Sequence, residues 1–441
     1  MFATSVESRL DTIYLRAAEL HGSARESYLN DLCGDDVALR ERVESLLRDN
    51  TGSDLLRTTM LRQVAGLTLL ATTSEVLPIR LERYDLEARL GEGAFGVVYR
   101  AVQHTPVRRT VAIKVVRPGL DGPQIIRRFE AERQALATLD HANIARLFDA
   151  GNMPDGRPFF VMEFLDGLSF TEYCDQKKLD LRQRLELFLE VCAGVEHAHG
   201  RGILHRDIKP SNILVVERDG RAIVKVIDFG IARALGAELP FRSMATEVGR
   251  MMGTPEYMSP EQVDGEPGDV DVRSDVYTLG AVLYETLCGR LPFDSTKLRA
   301  SRLSELRRIV CETDPPPPSR AWNSDDPGLA KAADCRNETP AALLATLKRE
   351  IEWVPMRALR KSPQERYRNV SELADDVGNY LARRPLLAGP DSAFYRARKH
   401  FRRHRGPIVA AGSILLLLVA AVVGTTIGMF RAQTQQTRAE L

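Results

Sequence analysis

Asp207, Asn212 and Asp228 set the chemistry open to this sequence. They stand in "HRDIKPSNILVV" (His205–Val216) and in "IDFG" (Ile227–Gly230). Between Asn212 and Asp228 run "ILVV", then "ERDG", then "RAIVKV". Asp219-Gly220 flanked by strand formers is a strong hairpin signal. The two strands therefore run back to back and bring Asn212, before the first, close to Asp228, after the second. Two oxygen ligands at the mouth of one hairpin suit a hard cation that keeps several waters, Mg2+ first and Mn2+ as an alternative. Asp207 lies on the loop entering the hairpin, where a carboxylate can orient a hydroxyl or accept its proton. Lys209 faces the same space and can offset charge on a transferred phosphoryl group. Arg206 points elsewhere and could bind an added phosphate. Taken singly, Asn212 and Asp228 read as turn or cap residues; their placement at both ends of one hairpin, beside Asp207, weighs against that.

A second constellation lies upstream. "ARLGEGAFGVVYRAV" contains Gly91, Gly93 and Gly96 between strand-like Tyr84–Leu90 and Val97–Val102. The spacing alone is weak and also fits a dinucleotide fingerprint, but that motif opens a helix. Here the glycines cap a hairpin whose N–H groups can approach phosphates without Cβ clashes. Phe95 at the tip could shield those phosphates from water. Next, "TVAIKVV" alternates, with Val111, Ile113 and Val115 on one face and Ala112, Lys114 and Val116 on the other. A strand lysine usually snorkels to solvent; beside a phosphate-covering turn, Lys114 would neutralise phosphate oxygens. An anion must then hold it. In the helix-like "IIRRFEAERQALATL", Phe129, Leu136 and Leu139 share a face with Glu132, while Glu130 is turned about 100° away. Glu132 is the expected partner.

The elements that must position these groups fill residues 84–384, strand-rich first and helix-rich later. A chain of 441 residues exceeds the roughly 100–200 residues usual for one domain. Residues 1–50 carry Leu39, Val43, Leu46 and Leu47 at helical spacing with charges opposite. Residues 51–83 are a Thr-rich linker. Residues 385–407 are basic, with Arg396, Arg398, Lys399, Arg402, Arg403 and Arg405. Residues 408–430 hold no charge and exceed the roughly 20 needed to span a bilayer. Residues 431–441 form a short tail. The basic run before the span places the bulk of the chain on the cytoplasmic side and suits anionic lipid headgroups. Net charge is +1, so no global field points to nucleic acid. Six scattered cysteines without a CxxC pair read as reduced thiols.

The ordered motifs resemble the bacterial eukaryotic-type (Hanks-type) serine/threonine protein kinases. The matches are the glycine loop Gly91–Val98, "VAIK" ending at Lys114, "HRDIKPSN", "DFG" at Asp228–Gly230, "SPE" at Ser259–Glu261 and "SDVYTLG" at Ser274–Gly280. The resemblance implies an α+β, bilobal protein-kinase fold with a β-rich N-lobe and helical C-lobe. To these the sequence adds a helical N-terminal extension and one C-terminal transmembrane helix. It implies ATP as cofactor, lined by Leu90, Gly91, Gly93, Phe95, Gly96, Val98, Ala112, Lys114 and Met162, with backbone hydrogen bonds from Glu163 to Leu165. It implies Mg2+ on Asn212 and Asp228, and a catalytic set of Asp207, Lys209, Lys114, Glu132 and Thr254. Asp275 would anchor the catalytic loop, and Arg366 would pair with Glu261. Ile231–Glu256 would be the activation segment, phosphorylated at Thr246 first or Ser243 second and read by Arg206.

The expected activity is ATP-dependent phosphorylation of serine and threonine on protein substrates, including autophosphorylation, at the bacterial inner membrane. A pseudokinase scaffold is the alternative, but the lysine and both aspartates such proteins lose are present. A small-molecule kinase on the same fold is a third reading, against which "GTPEYMSPE" (Gly253–Glu261) argues. Residues 1–50 could dock or dimerise the chain as a homodimer, or merely solubilise it. Relatives often continue past the membrane into a sensor domain, so either the sensor is lost or the sequence is a fragment.

Overall fold

The computed structural model describes residues 79–93, 96–116, 136–229, 254–264, 269–390 (apart from 302, 324 and 325) and 416–429. Single positions are also described at 28, 29, 36, 40, 134, 392, 395, 399, 413 and 414. Met1–Val76 and Leu77–Leu441 are separate compact units. In the first, Tyr28, Leu29 and Arg40 are helical.

In the second unit, alternating and β-branched runs build one antiparallel sheet. Its strands are β1 (Ile79–Leu81), β2 (Tyr84–Glu92), β3 (Gly96–Gln103), β4 (Arg109–Val116), β5 (Leu147–Asn152) and β6 (Pro158–Glu163), in the order β1-β2-β3-β4-β6-β5. Central strands of this kind bury both faces. Val111, Ile113 and Val115 pack with Leu86, Tyr99 and Phe159 in one cluster, whereas Ala112 and Val116 join the core that continues into the helices. A smaller sheet, in the order β7-β8-β9, contains β7 (Leu168–Ser169), β8 (Ile213–Arg218) and β9 (Arg221–Val226).

Helices α1 (Phe170–Gln176), α2 (Leu181–His199), α3 (Pro260–Asp264) and α4 (Val272–Cys288) carry the rest of the site. Helix α2 starts at a capping box, in which Asp180 accepts from the Gln183 N–H and the Gln183 side chain accepts from the Asp180 N–H. This reciprocal pairing satisfies donors that the first turn leaves open. Helix α4 is buried along nearly its whole length, so it acts as the post against which α2 and the later helices pack. The last helix of this core, α5 (Val370–Leu381), lays Val370, Leu373 and Val377 into it.

Two boundaries differ from the sequence reading. Ile79–Leu81, inside the stretch read as linker, is an edge strand paired with Leu86–Tyr84; three residues show no period by themselves and become a strand only beside β2. Past residue 384, the chain read as a basic juxtamembrane segment first folds onto the core. Leu386 is buried, and the N–H groups of Leu387 and Ala388 donate to the Asp376 carboxylate at 2.6 and 2.7 Å. Tyr395 then stacks edge-on against Trp353. Further on, residues 416–429 are helical with exposed apolar side chains. No helix among the described residues is long and apolar enough to cross a membrane.

Candidate active site

The β8–β9 hairpin closes through Asp219 and Gly220, both at positive φ (52° and 72°), a conformation suited to a tight two-residue turn. Arg218 faces Arg221, and Ile213 faces Val226. Just outside that first pair of the mouth, the Ile227 N–H donates to the Asn212 carbonyl at 2.9 Å, which sets Asn212 beside the chain entering Asp228. The register thus joins the two ends as the turn chemistry predicts.

The loop before the hairpin is held by a dense set of bonds. Asn212 Nδ2 donates to the Asp207 carbonyl (2.8 Å) and to Asp207 Oδ2 (3.1 Å). Both partners are acceptors, so the amide nitrogen must face them and the amide oxygen faces away. Lys209 Nζ donates to the same Asp207 Oδ2 (2.8 Å) and to Thr254 Oγ1 (3.1 Å). Both side-chain donors thus fall on Oδ2 of Asp207. His205 Nε2–H donates to the Ile227 carbonyl (2.9 Å), which leaves Nδ1 to accept from the Asp207 N–H (3.3 Å). One neutral tautomer satisfies both contacts.

Arg206 and Asp228 occupy positive φ (68° and 64°), a costly region for residues with a Cβ. Surrounding bonds hold Arg206 there. Asp275, 1% exposed, accepts from the N–H groups of His205 (2.8 Å) and Arg206 (2.9 Å) and from His199 Nε2 (2.7 Å). Burial alone would raise the Asp275 carboxyl, but the bond and charge of His199, with the His205 N–H bond, outweigh it and hold it below its usual range. Gln262 on α3 takes the Arg206 carbonyl at 2.6 Å. Below this, Arg366 forks onto Glu261 at 2.6 and 2.8 Å, a bidentate geometry that arginine favours.

The opposite wall is the glycine hairpin. Glu92 faces Val97, and the Gly93 N–H donates to the Gly96 carbonyl at 2.9 Å. A Cβ on Gly96 would sit 2.2 Å from the Val115 carbonyl oxygen, so only glycine fits against β4; a Cβ on Gly91 or Gly93 would meet open space. Leu90 is half exposed, Val98 partly buried, and Ala112 and Met162 buried. Val98 is paired with Lys114, and Ala112 with Met162.

Lys114, 6% exposed, reaches across and donates to Asp228 Oδ2 at 2.7 Å. Glu132, Phe95, Ser243 and Thr246 lie outside the described residues. The structure therefore shows Lys114 on Asp228. At the hinge, the Glu163 N–H is donated to the Arg146 carbonyl at 2.9 Å, which leaves the Glu163 carbonyl to meet a ligand. This follows from Arg146 lying beside the start of β5, a neighbour that local spacing does not reveal. Sequence reasoning also missed Asn143 and Glu190. Glu190 Oε2 accepts from Asn143 Nδ2 (3.0 Å) and the Val224 N–H (3.1 Å), tying α2 to β9; these residues are too far apart in the chain for any pattern to link them.

The donor set fits a magnesium nucleotide. Asp228 offers a carboxylate beside the buried Lys114 ammonium, and Asn212, whose carbonyl takes the Ile227 N–H, offers an amide oxygen; hard oxygens of this kind are what Mg2+ takes. The described cysteines are free thiols. Burial pushes Cys174 up to about 11 and Cys288 up to about 12, so neither offers a thiolate.

Comparison with known proteins identifies the domain. Residues 84–369 match the protein kinase domain. The serine/threonine-protein kinase Pkn1 of Myxococcus xanthus is 37% identical over 306 residues, covering 69% of this chain and 39% of that protein. The serine/threonine-protein kinase PknB of Mycolicibacterium smegmatis is 36% identical over 301 residues, covering 67% and 42%. The chain thus spans about two-fifths of the length of these curated relatives. The crystal structure of the Mycobacterium tuberculosis PknI kinase domain overlays with a TM-score of 0.49 at 25% identity, covering 70% of this chain and 99% of that one. Both the matched domain and the ordered site place the chain in the protein kinase domain family.

Proposed function

We propose that this chain transfers the terminal phosphoryl group of ATP to serine and threonine hydroxyls of proteins, its own included. The observation that carries the reading is Asp207, with Lys209 and Asn212 on one oxygen and Thr254 behind Lys209. That arrangement leaves one carboxylate oxygen to orient an acceptor hydroxyl and accept its proton. Lys209, beside it, offsets charge on the phosphoryl group in transit, since such a transition state spreads charge over the equatorial oxygens. Lys114 would hold the α- and β-phosphates, with Glu132 behind it, and Asn212 and Asp228 would hold Mg2+. The bound cation supplies charge neutralisation between phosphates. The glycine hairpin closes over them, and Leu90, Val98, Ala112 and Met162 enclose the base, with backbone contacts from the Glu163 carbonyl and Leu165. Phosphorylation at Thr246 or Ser243 would order the activation segment through Arg206.

The reading extends to location. The uncharged 408–430 stretch, with exposed Leu416, Leu417 and Val422, supports one membrane-spanning helix, and the basic 396–405 run supports a cytoplasmic kinase facing anionic lipid. Incubating the purified chain with magnesium and γ-labelled ATP, followed by phosphoamino-acid analysis, tests the activity. Labelled phosphoserine or phosphothreonine is expected. Label confined to phosphotyrosine or to small alcohols, or no label at all, would refute it.

A further inference from the structure

A set of charges joins the end of β6 to the β8–β9 hairpin. Glu163 ends β6 directly after Met162. Its Oε1 accepts from Arg218 at the end of β8 (2.8 Å), and its Oε2 accepts from Lys225 on β9 (3.1 Å). Lys225 Nζ also reaches the Ile144 carbonyl (3.4 Å), and the Glu163 N–H holds the Arg146 carbonyl. One carboxylate at the hinge therefore grips both strands of the hairpin whose ends are Asn212 and Asp228.

The two limbs are unequal. The Arg218 side chain is 53% exposed, whereas those of Lys225 and Glu163 are 9% and 14% exposed. Solvent screens the first pair; the second is shielded, so losing Glu163 would leave the buried Lys225 ammonium without this carboxylate. Burial alone would raise the Glu163 carboxyl, but hydrogen bonds from Arg218 and Lys225 hold it below its usual range. Lys225 lies on the strand that leads straight into Asp228, so a shift of β9 against β6 would move the metal-facing carboxylate relative to the hinge.

We propose that Lys225, through Glu163, is a positioning residue that sets the spacing between the base-facing hinge and the metal-facing hairpin; this rests on the kinase reading above. A nucleotide with its phosphates and Mg2+ touches both ends of that spacing, whereas adenosine touches only the hinge. Loss of the strut should therefore penalise the first ligand and spare the second. A residue that merely stabilises the fold would not separate them.

The experiment is calorimetric titration of the full chain in detergent with Mg–ADP and with adenosine. Lys225→Met should weaken Mg–ADP about tenfold and adenosine less than about twofold, and Lys225→Arg should restore the wild-type ratio. In a Glu163→Gln background Lys225→Met should add nothing further, since a double-mutant cycle isolates the pair. Arg218→Ala should change the ratio less than about twofold, as for an exposed pair. Equal weakening of both ligands, no change in either, or additive effects in the double variant would overturn the strut. Wild-type protein that takes up neither ligand would instead remove the kinase reading on which it stands.

Discussion

Two hairpins face each other across the cleft, and they are built on opposite principles. Among the described residues, the β2–β3 turn is closed by the Gly93 to Gly96 backbone bond, with open space where Cβ atoms of Gly91 and Gly93 would lie. The mouth of the β8–β9 hairpin is fixed by side chains from four directions: Asn212 and Lys209 on Asp207, His205 on Ile227, Asp275 on the loop N–H groups, and Lys114 on Asp228. On the proposed reading, the wall that would cover phosphates can adapt to a ligand, while the wall that would orient reacting oxygens is set before the ligand arrives. Preorganised groups need no rearrangement at the moment of reaction.

Substitutions can break that contrast. The largest effect is expected at Asp207. Asp207→Asn should cut phosphoryl transfer by roughly 10²–10⁴-fold while nucleotide affinity, read by calorimetry, stays near wild type. Next comes Asp275→Ala, which strips the buried acceptor from three donors and should cost about 3 kcal/mol or more in chemical denaturation, each orphaned donor counting for about 1–3 kcal/mol. A smaller pair of effects tests the adaptable wall. Gly96→Ala pushes a Cβ against the Val115 carbonyl and should lower stability by about 1–3 kcal/mol. Gly93→Ala meets nothing, so the melting temperature should hold while KM for ATP rises. If the two alanines behaved alike, the distinction between close packing at one glycine and ligand space at the other would fail.

The smallest effect is in acid. Burial alone would raise the Glu261 carboxyl, but its bonds to Arg366 and Ser274 hold it below the usual 4.5. A depressed carboxylate adds stability above its unfolded pKa, and that stability is lost as pH falls from about 4.5 through the lower folded value. Glu261→Gln should therefore flatten the fall in melting temperature below pH 4.5 relative to wild type. An unchanged slope would mean that Glu261 carries none of the acid sensitivity.

Legibility in the sequence followed distance along the chain. The β4 alternation showed which residues line each face, because strand period is local, and Val111, Ile113 and Val115 do share one cluster. The Asp219-Gly220 turn showed that Asn212 and the chain entering Asp228 meet, because turn chemistry fixes register. What stayed hidden depends on partners brought in from elsewhere. The Glu163 N–H is taken by Arg146, Leu387 and Ala388 are capped by Asp376, and Ile79–Leu81 becomes a strand only at the edge of β2. Neither propensity nor periodicity carries that information; it exists only once the chain has folded.

The central claim is that Asp228, Asn212 and Lys114 converge on a magnesium nucleotide. Calorimetry with ATP, in the presence and absence of magnesium, tests it most directly. Wild-type protein should bind ATP more tightly with magnesium than without, and Asp228→Asn should erase that difference. Binding indifferent to magnesium in the wild type, or a magnesium effect that survives Asp228→Asn, would contradict it.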